Sequence, residues 1–534
     1  MLPELVARLL ASIRRLRPNH ATPPQLDARP PDLESLAATG EYRAVPDLLP
    51  LLVAGDALSP AVARTISTLV SGVSPSQLNW LDAEARRFYS VEFGVGNWFS
   101  LAPGVVPDLC RAIRPHWRAI GILASHPNGF VRQIAVRELG RSTDGTEIPF
   151  LTLRANDWVT EVADTAGDLL AARFVPANRA AVVNALPYIV RMLGHRRQDH
   201  HRLVDALGAV LISDDGRDAI ATIRTSDRAV ARAGYALLFD LLPTHAVVEA
   251  ALAEPDPVAR RQAVRRLPAI GDPSTTAERL ARLVSGDRAP SVRHEALALL
   301  ERCDASRARA VRPHALLDRS AAVRGLARFL ASRLDPSLDV RGLYLEALEQ
   351  GAAATLPAAV LGLGECGTKA DGNLVRPLLT ADLPRLRRAA LQTTASLDPD
   401  RVLPLATAAL EDPSSGMRST ALRILRRQAY RVDFAALARR MPSVVDSRAR
   451  KGFLMLFAEA PKWDAAVFLL TALGDPDRGV RDHASDLLDT WVARFNRRHT
   501  APTPAHLREI RESLDRHASA LRGETAGFLR SIIS

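Results

Sequence analysis

A nine-residue phrase returns along this chain, Val-Arg-x-x-Ala-x-x-x-Leu, each time after an Asp-containing turn. It reads Val131-Arg132…Ala135…Leu139, Val292-Arg293…Ala296…Leu300, Met417-Arg418…Ala421…Leu425 and Val480-Arg481…Ala484…Leu488. Between Val323 and Val480 it starts at 323, 355, 386, 417, 449 and 480, in steps of 32, 31, 31, 32 and 31. Residues spaced i, i+4 and i+8 share one helix face. A fixed period near thirty residues is the signature of stacked helical hairpins. The fold class predicted is all-α, an α-solenoid (superhelix) of about fourteen hairpins. Such arrays bind things, and the repeat does not name the ligand.

Each position in the phrase has a physical role. The first, branched or long, faces the partner helix. The second is usually Ala, where two backbones approach closely. The third, often Leu, closes the core. Asp256-Pro257, Asp412-Pro413 and Asp475-Pro476 precede three copies and read as turn and N-cap chemistry. Aromatics are only 5% of the chain against 47% hydrophobic residues, which suits close packing of Ala, Leu and Val and fits poorly with strands. Leu5, Leu9, Ile13 and Leu16 mark a capping helix over 1–17, followed by a Pro-rich linker over 18–34. The array is read over 35–500, with irregular units near 71–125 and 190–215 and capping helices over 501–534.

Net charge is +11, carried almost wholly by arginine, with Lys369, Lys451 and Lys462 the only lysines. Such a balance fits an anionic partner, or structural arginines in an Arg-rich composition. Cys110, Cys303 and Cys366 are far apart and form neither a disulfide framework nor a zinc signature. The first residues lack a basic signal-peptide segment, and no apolar run reaches a membrane-spanning length. A cytoplasmic protein is expected, with no membrane partner.

Asp412-Pro413…Met417-Arg418…Ala421…Leu425 and Asp256-Pro257…Arg260…Ala263…Leu267 resemble HEAT repeats, in the compact bacterial form of phycobilin-lyase-type HEAT proteins. The likeness covers most of residues 35–495. It implies a HEAT-like superhelix and leaves function open, since members include scaffolds, chromophore lyase subunits, transport adaptors and a DNA glycosylase group. It also implies an inter-repeat Asp–Arg ladder. Asp287 with Arg293, Asp318 with Arg324, Asp412 with Arg418 and Asp475 with Arg481 are the pairs read for it, each Asp six residues before its Arg.

Two and six places after each frame start, side chains are expected to face the concave side. This stripe holds Arg232, Arg261, Arg265, Arg388, Arg423 and Lys451, and also Asp164, Asp168, Asp482 and Asp486. Its middle reads as basic and its ends as acidic. The aromatics that single-stranded nucleic acid would stack on are not expected there. A second constellation is Trp80, Phe88, Tyr89, Phe93, Trp98 and Phe99, six aromatics within twenty residues where the frame lapses; it reads as a pocket for a peptide or small ligand, or as an enlarged repeat. His195, Asp199 and His200 match no standard metal spacing and lie among arginines, so no metal is expected. Asp157-Trp158 invites comparison with the glycosylase-like members, and equally reads as a turn cap. No catalytic grouping or cofactor site is legible. The expected function is a non-catalytic scaffold binding a protein along the concave face. The alternatives are a DNA- or RNA-binding solenoid, glycosylase-like in one form, and a lyase or chaperone-like subunit for a prosthetic group.

Overall fold

The computed structural model describes residues 33–54, 58–87, 98–194, 200–497, 500–517 and 520–533. The predicted helix over 1–17 and most of the linker after it lie outside these residues. The chain divides into two compact units, one ending at Thr276 and the other starting at Ala277. Among the described residues every regular element is a helix, and consecutive helices pair into hairpins, which makes the chain an all-α solenoid.

In the first unit, Trp117–Leu123 pairs with Gly129–Leu139, and Ile148–Arg154 with Thr160–Ala171; the two second helices then pack on one another. In the second unit, the second helices Pro384–Leu397, Ser415–Arg427, Ser447–Phe457 and Arg478–Ala493 pack in succession. The frame explains why. Val131, Ala135 and Leu139 are buried, as are Val162, Ala166 and Leu170, Val292, Ala296 and Leu300, and Val480, Ala484 and Leu488. The small second residue has the expected use. Gly234 stands in for Ala, and a Cβ there would lie 2.5 Å from Ile223 Cδ1. The weak copy at Thr355 falls on the helix Leu356–Cys366, with Ala359 and Leu363 buried.

The turn chemistry departs from expectation in two of three copies. Asp256 does cap its helix, accepting from the Ala259 N–H at 3.3 Å. Asp412 and Asp475 stand too early to cap. Each accepts from the N–H two residues on, Ser414 or Asp477, at 2.8 Å, and so closes the turn rather than the helix.

The ladder exists, and its rungs join different partners from those read in the sequence. Arg293 donates through Nε and Nη2 to Asp318, both at 2.7 Å, and through Nη1 to the Asp287 carbonyl at 2.7 Å. Arg387 holds Asp412 at 2.9 and 2.8 Å, and Arg450 holds Asp475 at 2.8 and 3.0 Å. Each of these carboxylates lies 25 residues after its arginine, on the next hairpin. The residue six places before the Arg offers its backbone oxygen instead: Asp412 to Arg418 and Asp475 to Arg481, and likewise Ala381 to Arg387 and Val444 to Arg450. The physical reason is reach. One guanidinium fork closes its own turn with Nη1 and grips the following turn with Nε and Nη2, which lysine could not do. Arg324 varies the scheme: Nη1 takes the Asp318 carbonyl, and the fork holds Glu365 at 3.1 and 2.5 Å.

Cys110 sits in this core, and burial pushes its thiol up to about 12. Cys303 and Cys366 are exposed. A thiol-reagent titration of the native chain at neutral pH is therefore expected to modify two cysteines, sparing Cys110 until denaturant is added. Rapid modification of all three would contradict this packing of Val106–Ile113.

Candidate functional site

The predicted groove residues belong to both units. In the first unit, Arg232 is taken by the fold. Ala231 occupies the usual Arg position, and Arg232, one place on, holds Asp256 with two bonds of 2.8 Å. It is a rung rather than a groove residue. Arg261 is half-buried and Arg265 exposed on Pro257–Ile270, while Asp164 and Asp168 are exposed on Thr160–Ala171. In the second unit, Arg388 and Arg423 are exposed on successive second helices. Lys451 is half-buried, its Nζ lying close to Gly479 at the start of the next helix. Asp482 and Asp486 are exposed on that helix, and Asp486 accepts from Arg522 at 2.9 Å.

Two apolar side chains on this stripe were missed. Phe329 and Met455 occupy the sixth place after Val323 and Ala449, and both are exposed. The Arg333 guanidinium lies 5.6 Å from the centre of the Phe329 ring. The frame itself carried the signal: an apolar residue at a place turned away from the core.

Three of the six residues of the aromatic constellation, Trp80, Trp98 and Phe99, are described. Phe88, Tyr89 and Phe93 lie outside the described residues. Trp80 is half-buried, edge-on to Tyr42 with ring centres 5.6 Å apart. Phe99 is half-buried. Trp98 is buried and structural. Its indole N–H donates to the Ala85 carbonyl at 2.8 Å, and its own carbonyl accepts from His126 Nε2 at 2.6 Å. His126 Nδ1 accepts from the Asn128 N–H at 3.0 Å, so this bonding requires a neutral ring.

Burial holds the His126 pKa below the ordinary value, and the bond to the Trp98 carbonyl only partly opposes this. A depressed histidine pKa means the unfolded chain takes up the proton first. The His126 contribution to stability is therefore complete above about pH 6.5 and declines as pH falls through that value. Thermal melts at pH 7.5 and 5.5 are expected to show a larger loss in the parent than in His126→Gln. Equal losses would contradict the neutral assignment.

The densest polar constellation lies in the first unit, around the turn between Ile148–Arg154 and Thr160–Ala171. Asp157 is fully buried there. It accepts from Arg132 Nε and Nη2 at 3.1 and 2.9 Å, from Arg154 Nη1 at 2.7 Å and from the Val159 N–H at 3.0 Å. Asp82, on Pro75–Ala85, accepts from Arg86 at 2.9 Å and Arg154 at 2.5 Å. Asp157 is thus both turn cap and rung. Its arginine bonds hold its carboxyl below the usual range despite burial, which opposes that shift. A carboxylate so enclosed cannot meet an extruded base, so the comparison with glycosylases fails at this residue. Trp158, next to it, is exposed.

A cleft of about 280 Å³ lies between Val402–Ala409 and Phe434–Arg440, lined by Leu403, Pro404, Val432, Leu437, Arg431 and Arg440 among others. Both arginines are paired, with Asp400 at 3.1 Å and Glu411 at 2.6 Å. Among the described residues, no group of three or more His, Cys, Asp or Glu is placed to hold a metal ion. His195 and Asp199 lie outside them. No helix among the described residues is long and apolar enough to cross a membrane.

No protein-family model matches the sequence, and no curated protein matches it. Among solved structures, the chain is similar to the karyopherin Kap121p bound to the extreme C-terminus of the protein phosphatase Cdc14p. That likeness has 14% identity and a TM-score of 0.22, over 84% of this chain and 46% of that one. It is similar also to Kap121p itself, at 12% identity and a TM-score of 0.23, over 100% of this chain and 55% of that one. The chain spans about half the length of these structures. The repeat architecture stands on the helices and rungs described above.

Proposed function

We propose that the chain is a non-catalytic, HEAT-type scaffold of the cytoplasm that holds a protein partner along the exposed, concave face of its second helices. One observation carries this reading: the stripe, made of exposed and half-buried side chains, changes sign within each unit. In the first, it passes from Asp164 and Asp168 to Arg261 and Arg265. In the second, it passes from Arg388, Arg423 and Lys451 to Asp482 and Asp486, with Phe329 and Met455 on the same register. A polyanion would meet carboxylates on the face that was to attract it. A protein surface can match both signs and cover the apolar residues. Arginine, aromatic residues and methionine are also the types enriched in protein interfaces.

The test is capture from lysate with the tagged full chain, before and after nuclease treatment. A partner that survives nuclease and is lost from Phe329→Ser/Arg423→Glu supports the reading. Capture that nuclease abolishes overturns it. The second reading, nucleic-acid binding, draws on the basic run Arg388, Arg423 and Lys451 over successive helices.

A further inference from the structure

We propose that Trp158 and Arg86 form a docking point for a short partner segment in which one carboxylate stands beside an apolar side chain. This rests on the protein-binding reading and names the chemistry of one contact. Trp158 is 60% exposed, yet it is not loose. The Arg86 guanidinium lies 4.3 Å from the centre of its ring and that of Arg132 4.7 Å. Cation–π contacts of this kind fix the indole in place. Phe130, 71% exposed, stands on an adjoining turn: a Cβ on its neighbour Gly129 would lie 3.5 Å from Val159 Cγ2. Two aromatic side chains, one of them held by cations, therefore face solvent on touching turns. Anchors of this type, Trp above all, with Arg beside them, carry most of the energy in protein interfaces.

Among the described residues, the charges that meet around the indole do not balance. Arg86, Arg132 and Arg154 share Asp82 and Asp157. Arg132 and Arg154 are almost wholly buried and well bonded. Arg86 is the member left short. Its Nη2 reaches Asp82, its distance to Asp157 is 3.8 Å, and its Nε is buried with no hydrogen-bond partner among the described residues. Burial foremost, with repulsion from Arg154 and Arg132, pulls its pKa down to about 10. One arriving carboxylate would restore the balance, while an apolar neighbour covers the indole. A polyphosphate would bring further charge onto Glu161, Asp164 and Asp168, all exposed on the helix that starts just after Trp158. Charge complementarity thus favours a peptide with a single acid over a nucleic-acid strand.

The probes are four fluorescein-labelled dodecapeptides of Gly and Ser with a central Phe-Glu, Phe-Gln, Gly-Glu or Phe-Lys, titrated by anisotropy against the full chain. Phe-Glu is expected to bind, with Phe-Gln and Gly-Glu about tenfold weaker and Phe-Lys weaker still, a factor of ten being about 1.4 kcal/mol. Trp158→Ala and Arg86→Gln are each expected to weaken Phe-Glu about tenfold. Arg86→Gln should also leave the melting temperature unchanged or raised, since it removes the excess cation; an arginine serving only the fold would lower it. Equal affinity for all four peptides overturns the proposal. So does unchanged binding by either variant, a lowered melt for Arg86→Gln, or no Phe-Glu binding up to about 1 mM. Displacement of the peptide by a dT12 oligonucleotide at lower concentration overturns it in favour of nucleic acid. If a nuclease-resistant lysate partner binds Trp158→Ala as well as the parent, this docking point is wrong and the scaffold reading stands. If no such partner exists, the scaffold reading itself fails.

Discussion

Arg293→Ala is expected to destabilise the second unit by about 3–5 kcal/mol, the range for breaking one side of a buried ion pair. Arg293 and Asp318 are both buried, and the substitution removes two charge-assisted bonds together with the bond to the Asp287 carbonyl. Among the described residues the Asp318 carboxylate then keeps only its turn bond from the Ser320 N–H at 2.7 Å and is left an almost unpaired buried anion. Arg418→Ala should cost less, about 1–2 kcal/mol. It loses carbonyl bonds to Asp412 and Pro413, but Asp412 stays bound to Arg387, and the Asp446 carboxylate is 3.6 Å away. Arg423→Ala should fall within about 0.5 kcal/mol of the parent, as surface substitutions do. Among the described residues its one side-chain bond is a long one of 3.4 Å to Thr420. Denaturant midpoints for the three variants test the order, and equal midpoints would remove the structural account of the arginines.

Ala296→Glu is the second large effect, expected at about 3–5 kcal/mol for a buried charge without a partner. Ala296 has no exposed surface. Its helix, Pro290–Cys303, packs against Ala305–Leu316 and Ala321–Leu334. A carboxylate there must open that packing or be protonated. Ala322→Glu, exposed in the first turn of Ala321–Leu334, is the control and should stay within about 0.5 kcal/mol. Thermal melts decide between them. An unchanged melt for Ala296→Glu would mean that this face does not meet its neighbours.

The core was legible because a 31-residue period repeats one burial pattern many times, so a reader of Val480, Ala484 and Leu488 is corrected by every other copy. The rungs were legible in kind but not in partner. Six residues look closer than 25, yet the hairpin carries the next turn past the guanidinium fork, so Arg387 grips the Asp412 carboxylate while Arg418 takes only its backbone carbonyl. Arg232 was misread for a local reason: Ala231 holds the Arg place, and the neighbour took over its work. The cluster around Trp158 was beyond sequence reading. It joins Asp82 and Arg154, 72 residues apart, across a stretch where the period lapses. Asp157-Trp158 was visible as a pair, but nothing in one turn showed that two guanidiniums from other helices would meet the indole.

The arginines of this chain serve the fold in the rungs and, in the reading proposed, a protein partner rather than a nucleic acid. The most direct measurement is an anisotropy titration of the full chain against labelled single- and double-stranded oligonucleotides at ~150 mM salt, where screening acts over about 8 Å. Weak binding at low salt that vanishes at this ionic strength is expected. Tight binding there, lost when Arg261, Arg265, Arg388, Arg423 and Lys451 are all replaced by Gln while the melt is unchanged, would contradict it.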